Sequence, residues 1–188
     1  METLLAIMIG FGYVSDELKM YLQQHLKVVS LPKKHVLLEA GKISNKMYFV
    51  ESGLLRGYYL KDGKEVTAWI MPEHEFVISI LSFYRQTPSY EYIELLEDST
   101  LWAMSYEKLK KAYKLFPEFN YIGRGLTERY YVMSEYRSYY LRMHTAEERL
   151  KLLLADFPTI LARVKHKYVA SLLGLSPETL SRILANKL

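Results

Sequence analysis

From Glu118 to His144 the chain has no proline, and its apolar residues recur at the spacing of a coiled-coil seam. Starting at Leu115, the stripe passes through Phe119, Ile122, Leu126, Met133, Tyr136, Tyr140 and Met143. A helix this long carries an apolar stripe that something must cover. Packing against the chain's own N-terminal part is one solution. Pairing with a second copy is the one favoured here, because a small domain offers little surface beside such a helix. Ile122, Leu126, Met133, Tyr136, Tyr140 and Met143 are the expected dimerisation residues. Arg129 interrupts the seam, and Tyr130, Tyr131, Tyr139 and Tyr140 make it bulkier than a leucine zipper.

The texture before this helix is different. From Leu31 to Met104 short apolar runs alternate with turn signals, as an antiparallel barrel or roll requires. Leu54 to Leu60, the turn Lys61-Asp62-Gly63 and Glu65 to Ile70 form the strongest hairpin signal, since Asp-Gly accepts positive φ. Tyr92 to Leu96 and Thr100 to Met104 flank a second turn at Glu97-Asp98-Ser99. Ser15 followed by Asp16 and Glu17 predicts a helix running to about Leu26, and Ser105 caps a short helix ending before Pro117. Thr145-Ala146-Glu147-Glu148 has the pattern of a capping box, so the long helix should break near His144 and another begin. The fold class is therefore α+β. The parts are an antiparallel roll with its helices over 1–118, a long dimerisation helix over 119–144, and a C-terminal helical domain over 145–188.

Charge follows the same division. Residues 1–118 hold 14 Lys/Arg against 15 Asp/Glu, whereas 119–188 hold 11 against 6, so the net +4 comes from the C-terminal part. A basic end on a neutral body fits a polyanionic partner, because Lys and Arg displace counterions condensed on phosphates. The absence of cysteine excludes disulfides, thiolate zinc sites and a cysteine nucleophile, and agrees with a cytoplasmic location. Leu4 to Ile9 is too short to span a bilayer and follows Glu2, not a basic stretch; it reads as a helix, and no membrane association is expected.

The last two dozen residues are the most informative. Tyr168, Val169, Leu172 and Leu173 form one face of a short helix, and Gly174 permits a sharp left-handed turn. Leu175 plugs the corner, Ser176 caps the next helix, and Pro177 takes its first position. Leu180, Ile183 and Leu184 face inward, while Glu178, Thr179, Ser181 and Arg182 face out at the helix beginning. An ordinary helical hairpin would also bury these apolar faces. The spacing of Ala170, Gly174 and the Ser-Pro-Glu-Thr start favours a helix-turn-helix that lays its second helix in the DNA major groove. In that reading Arg182 pairs with guanine or holds a phosphate, and Glu178 accepts from a cytosine amino group. Ser176, Pro177, Thr179 and Ser181 lie against the duplex, and Lys165 and Lys167 approach its backbone.

Lys167 to Ile183 closely resembles the helix-turn-helix of the Crp/Fnr regulators, the relatives of the cyclic-AMP receptor protein. A weaker resemblance runs through Tyr48-Phe49-Val50-Glu51-Ser52-Gly53 and the long helix. It implies a jelly roll of the cyclic-nucleotide-binding type, a homodimer on a roughly palindromic operator, double-stranded DNA as partner, and RNA polymerase as a candidate second partner. Three departures stand out. Pro177 replaces the arginine many members carry just after the cap, and the sequence ends about where a β-hairpin wing would follow, so the wing is expected to be missing or reduced. Ser79 and Ser89 stand where cyclic-AMP binders carry a glutamate and an arginine. Without that arginine a buried cyclic phosphate lacks its counter-charge, at a cost of roughly several kcal/mol. Cyclic AMP is therefore not the expected effector, the nearby Arg85 being the less favoured alternative as a substitute cation; Ser79, Ile80, Leu81, Arg85, Ser89 and Tyr90 are the candidate lining for another small molecule.

The five histidines are scattered without metal-ligand spacing, and Glu73-His74-Glu75 cannot turn three neighbouring side chains to one point of a strand. No phosphate loop, nucleophile elbow or acid–base pair is present, so neither an enzyme nor a cofactor or metal site is expected. The competing reading is a small-molecule sensor or protein-interaction module that does not bind DNA.

Overall fold

In a computed structural model of the chain, residues 1–186 are described; Lys187 and Leu188, which the sequence reading put in the C-terminal domain, lie outside the described residues. Packing divides the chain into two compact units. One comprises Met1–Gly57 with Ile70–Arg129, the other Tyr58–Trp69 with the chain from Tyr130 onward. The boundary therefore falls inside the long helix, and the outer part of one hairpin is grouped with the C-terminal helices.

Eight strands make the roll: β1 (Lys27–Leu31), β2 (Val36–Leu38), β3 (Lys46–Ser52), β4 (Leu55–Lys61), β5 (Lys64–Met71), β6 (Phe76–Val77), β7 (Glu91–Leu95) and β8 (Ser99–Ser105). They form two four-stranded sheets, ordered β1-β8-β3-β6 and β2-β7-β4-β5. β8 is central to the first, pairing antiparallel with β1 (Val29 opposite Leu101) and with β3 (Phe49 opposite Trp102). The expected β4–β5 hairpin forms, with Asp62 at φ 52° in its turn. The turn before Ser99 does something else: β7 and β8 lie in different sheets, so the chain crosses from one layer to the other there.

Helices α1 (Glu2–Ile9), α2 (Asp16–His25), α4 (Tyr106–Leu115) and the first turns of α5 (Pro117–Met143) close this unit, together with a short α3 (Ile80–Arg85). Ser15 and Ser105 cap α2 and α4 as expected, accepting from the amides of Leu18 and Lys108. Leu4, Met8, Leu18, Leu22, Leu109, Phe119 and Ile122 share one core with Phe49, Phe83 and Met104 of the roll. Gly123 lets α4 approach α5: a β-carbon there would stand 2.3 Å from the Tyr113 hydroxyl. Burial has already pushed that hydroxyl up to about 12.

This packing corrects the seam. Ile122 is fully buried in its own unit and cannot face a second copy, and Leu126 packs partly on the same core. Leu115 belongs to α4, not to the long helix. The heptad rule registers an apolar stripe without saying which body covers it, and here α1, α2 and α4 cover its first half. Met133, Tyr136 and Met143 stay exposed, with Tyr140 half-buried. Arg129 leaves the seam as well, its guanidinium donating to Glu75 at 2.5 Å.

A charged pair that the strand pattern did not reveal lies inside the roll. Arg56 on β4 is 1% exposed, and its Nε and Nη2 donate to Glu94 Oε2 on β7 at 2.9 and 2.6 Å. Two ions removed from water survive only with such geometry, since each alone costs several kcal/mol.

The second unit holds α6 (Ala146–Asp156), α7 (Ile160–Arg163), α8 (His166–Leu172) and α9 (Pro177–Ala185) around Leu150, Ile160, Val164, Val169, Leu173, Leu180 and Ile183. The capping box at Thr145 forms in full, with Glu148 reaching back to the Thr145 amide at 2.8 Å. Those bonds hold the Glu148 carboxyl below its ordinary value, as does the nearby His144. The single turn of α7, after Pro158 and before Lys165, is an element that periodicity did not indicate.

Candidate nucleic-acid interface and sensor loop

The turn between α8 and α9 is built from the residues that announced it. Gly174 adopts φ 67°, a conformation that costs a residue with a β-carbon about 1 kcal/mol or more. A β-carbon there would make only ordinary contact with Leu141 and Arg149, so it is the backbone conformation that calls for glycine. Ser176 Oγ accepts from the Thr179 amide at 3.1 Å and lies 3.1 Å from the Thr179 hydroxyl, and Pro177 opens α9 where no amide is needed. Leu180 and Ile183 are buried, which turns the opposite face outward. Ser176, Pro177, Glu178, Ser181 and Arg182 are exposed and Thr179 half-exposed. All six lie on the first two turns of α9 or its cap.

Glu178 is held below the ordinary carboxylate range by its own backbone amide and by the Ser176 hydroxyl, so it remains an acceptor at neutral pH. Lys165 and Lys167 are both exposed at the start of α8, with Lys167 Nζ 4.9 Å from the Tyr168 ring centre. A groove of about 430 Å³ runs beside this face, lined by Thr145, Ala146 and Glu147 from the start of α6 and by Thr179, Arg182, Ile183 and Asn186. The sequence reading took Thr145 only as a cap. That a residue some thirty positions upstream of α9 shares its groove with Arg182 follows from tertiary packing alone.

The loop from β6 through α3 to β7 has the opposite character. Ser79 and Ser89, buried at 3% and 6% exposure, hydrogen-bond to each other at 3.0 Å. Ser89 Oγ also donates to Glu91 O and accepts from Glu91 N. Ser82 donates to Thr87 O at 2.6 Å and accepts from the Ser44 amide, while Gln86, at φ 52°, donates to Phe83 O and Ser44 O. The two serines where a nucleotide's glutamate and arginine partners were expected thus satisfy one another.

Four other candidates move outward. Helical geometry turns Ser82 and Phe83 into the roll, so Ile80, Leu81 and Arg85 of α3 stand exposed, as does Tyr90 beyond it. Arg85 therefore does not replace the missing buried cation in this structure. Serines 44 and 82 and Gln86 complete the network, and nothing in the strand-and-turn pattern had marked them. Among the described residues, no cluster of three His, Asp or Glu side chains could hold a metal ion.

Residues 28–115 match the cyclic nucleotide-binding domain family. None of the curated proteins matches the chain. Solved structures do. FixK2 from Bradyrhizobium japonicum is 20% identical with a TM-score of 0.72, over 86% of this chain and 83% of that one. The chain has the Crp/Fnr fold. A putative Crp/Fnr regulator from Eubacterium rectale shares 21% identity over 92% of this chain and 83% of its own, with a TM-score of 0.70. The CLP regulator of Xanthomonas campestris, described as responsive to c-di-GMP, shares 19% over 89% of both chains, with a TM-score of 0.69. Within the Crp/Fnr fold, α3 and its flanking strands belong to the matched cyclic nucleotide-binding domain and α8–α9 lie C-terminal to it.

Proposed function

We propose that the protein is a homodimeric transcription regulator that binds a roughly palindromic operator through α8 and α9, and that cyclic AMP is not its effector. The observation that supports this most is the leading end of α9, where the polar side chains are exposed on a helix whose cap and inner face are otherwise complete. The major groove admits such a helix, and side chains of its first turns reach base edges. Arg182 is the residue assigned to guanine or to a phosphate. Glu178 accepts from a cytosine amino group. Ser176, Pro177, Thr179 and Ser181 lie against the duplex, with Lys165 and Lys167 at its backbone.

The second half of α5 supplies the dimer face in this reading, through Met133, Tyr136, Tyr140 and Met143. Two copies then present α9 to half-sites about one DNA turn, roughly 34 Å, apart. The division into a sensor part, a pairing helix and a DNA-binding part follows from this scheme, as do a non-enzymatic role, RNA polymerase as a further partner and the cytoplasm as its place of work. No helix among the described residues is long and apolar enough to cross a membrane.

Selection of bound fragments from the host genome tests the reading. An inverted repeat should emerge, bound with an affinity that falls steeply with salt because phosphate contacts dominate. Enrichment of no sequence, or affinity indifferent to salt, would favour the sensor or interaction module that leaves DNA alone.

A further inference from the structure

Two neighbouring residues of β5 hold two different helices of the second unit. The Thr67 amide donates to Ser171 Oγ on α8 at 2.9 Å, and the Ala68 carbonyl accepts from Arg137 Nη1 on α5. Thr67 is 3% exposed, and its own hydroxyl is buried without a hydrogen bond among the described residues. The backbone, not the side chain, is what this position contributes. β5 is the edge strand of its sheet, where main-chain groups remain available to whatever covers them. Burial lowers the Arg137 guanidinium from its ordinary value, and Tyr59, on β4 of the same hairpin, partly offsets that. The segment Tyr58–Trp69 accordingly groups with the C-terminal helices although its strands continue into the roll.

We propose that the β4–β5 hairpin is a strut that fixes the helix-turn-helix against the second half of α5, with Ser171 and Arg137 as positioning residues for DNA binding. The inference rests on the DNA-binding reading given above. Only the break at His144–Thr145 separates α5 from α6, and rotation there would swing α9 away from its half-site. A strut restrains that rotation before the duplex arrives, so less orientational freedom is lost on binding. Neither Ser171 nor Arg137 lies on the outward face of α9, and neither is assigned a contact with the duplex.

The test uses the full-length protein and a duplex selected from the host genome. In Ser171→Ala the Thr67 amide should lose its protection from hydrogen exchange and operator affinity should fall about five- to tenfold. The slope of log affinity against log salt should stay unchanged, since no phosphate contact is removed, whereas Lys165→Ala should flatten it by about 0.9. Ser171→Thr, which keeps the acceptor, should restore both readouts. Arg137→Gln should weaken the operator complex to a similar degree while the sedimentation coefficient of the free protein stays the same. Wild-type affinity in Ser171→Ala despite an unprotected Thr67 amide would overturn the proposal and leave the DNA reading intact. A flattened salt slope in Ser171→Ala would overturn it too, by making Ser171 a phosphate contact. If wild type bound no duplex while its Thr67 amide stayed protected, the DNA reading would fail and the positioning role with it.

Discussion

The start of α9 and the loop around α3 are both rich in small polar side chains, yet they spend them in opposite ways. In the α3 loop, Ser79 and Ser89 bond to each other, Ser82 to Thr87 and Ser44, and Gln86 to two carbonyls. At α9 Ser176 holds the Thr179 amide and Glu178 bonds to its own amide and to Ser176, while Ser181 and Arg182 face solvent and Glu178 stays exposed beside them. Composition alone would rank the two segments alike as binding sites. What separates them is whether the donors and acceptors are already matched, because a ligand must displace any internal hydrogen bond it replaces.

The sharpest way to break this contrast is to disturb the roll while leaving α9 alone. Glu94→Ala removes the carboxylate to which Arg56 Nε and Nη2 donate and should cost about 3–5 kcal/mol of stability, read as a lower denaturation midpoint. Operator affinity of the fraction still folded should stay within twofold. A large loss of affinity in that folded fraction would show that the two regions are not independent. Arg182→Ala should do the reverse, costing about 1–3 kcal/mol of operator affinity, roughly 5- to 150-fold, with no change in midpoint. An unchanged affinity would remove Arg182 from the interface.

Smaller effects sharpen the loop side. Ser79→Ala leaves the Ser89 hydroxyl one partner short and should destabilise by about 1 kcal/mol, without altering DNA binding. Calorimetry with cyclic AMP should show no saturable heat at micromolar concentrations; tight binding, abolished in Arg85→Ala, would mean that the loop can exchange its internal bonds for a nucleotide. The least effect belongs to acid. The Glu148 carboxyl is depressed in the folded chain, so its contribution is full above the unfolded carboxylate range and disappears as pH falls through the lower folded value. Thr145→Ala should therefore reduce the decline in stability on acidification, measured by denaturant titration between pH 5 and pH 3. An unchanged decline would mean that the capping box contributes nothing there.

How legible each region was in the sequence follows from the range of its interactions. α8 and α9 are set by local signals, Gly174 for a left-handed corner, Ser176 for a cap and Pro177 for a first turn, all within a few residues. The hairpin at Asp62-Gly63 and the capping box at Thr145 are legible for the same reason. Long-range pairings were not. Arg56 and Glu94 read as ordinary strand residues until the sheet places them side by side. Ile122 was misread because periodicity fixes a face and leaves its occupant open. The outward turn of Ile80, Leu81 and Arg85 depended on the phase of α3, which six residues are too few to reveal. The partnership of Ser79 with Ser89 required the loop to fold back on itself.

Because the first half of α5 is spent on its own core, the proposed pairing with a second copy is left the stretch from Met133 to Met143, about 15 Å of helix at 1.5 Å per residue. In the proposed dimer so short a zipper should dissociate on dilution, and tyrosine rings would add bulk to it without the interlock of leucines. Occupancy of a two-armed operator would then climb more steeply than the first power of protein concentration, making the cell's stock of the chain itself a quantity that the promoter measures.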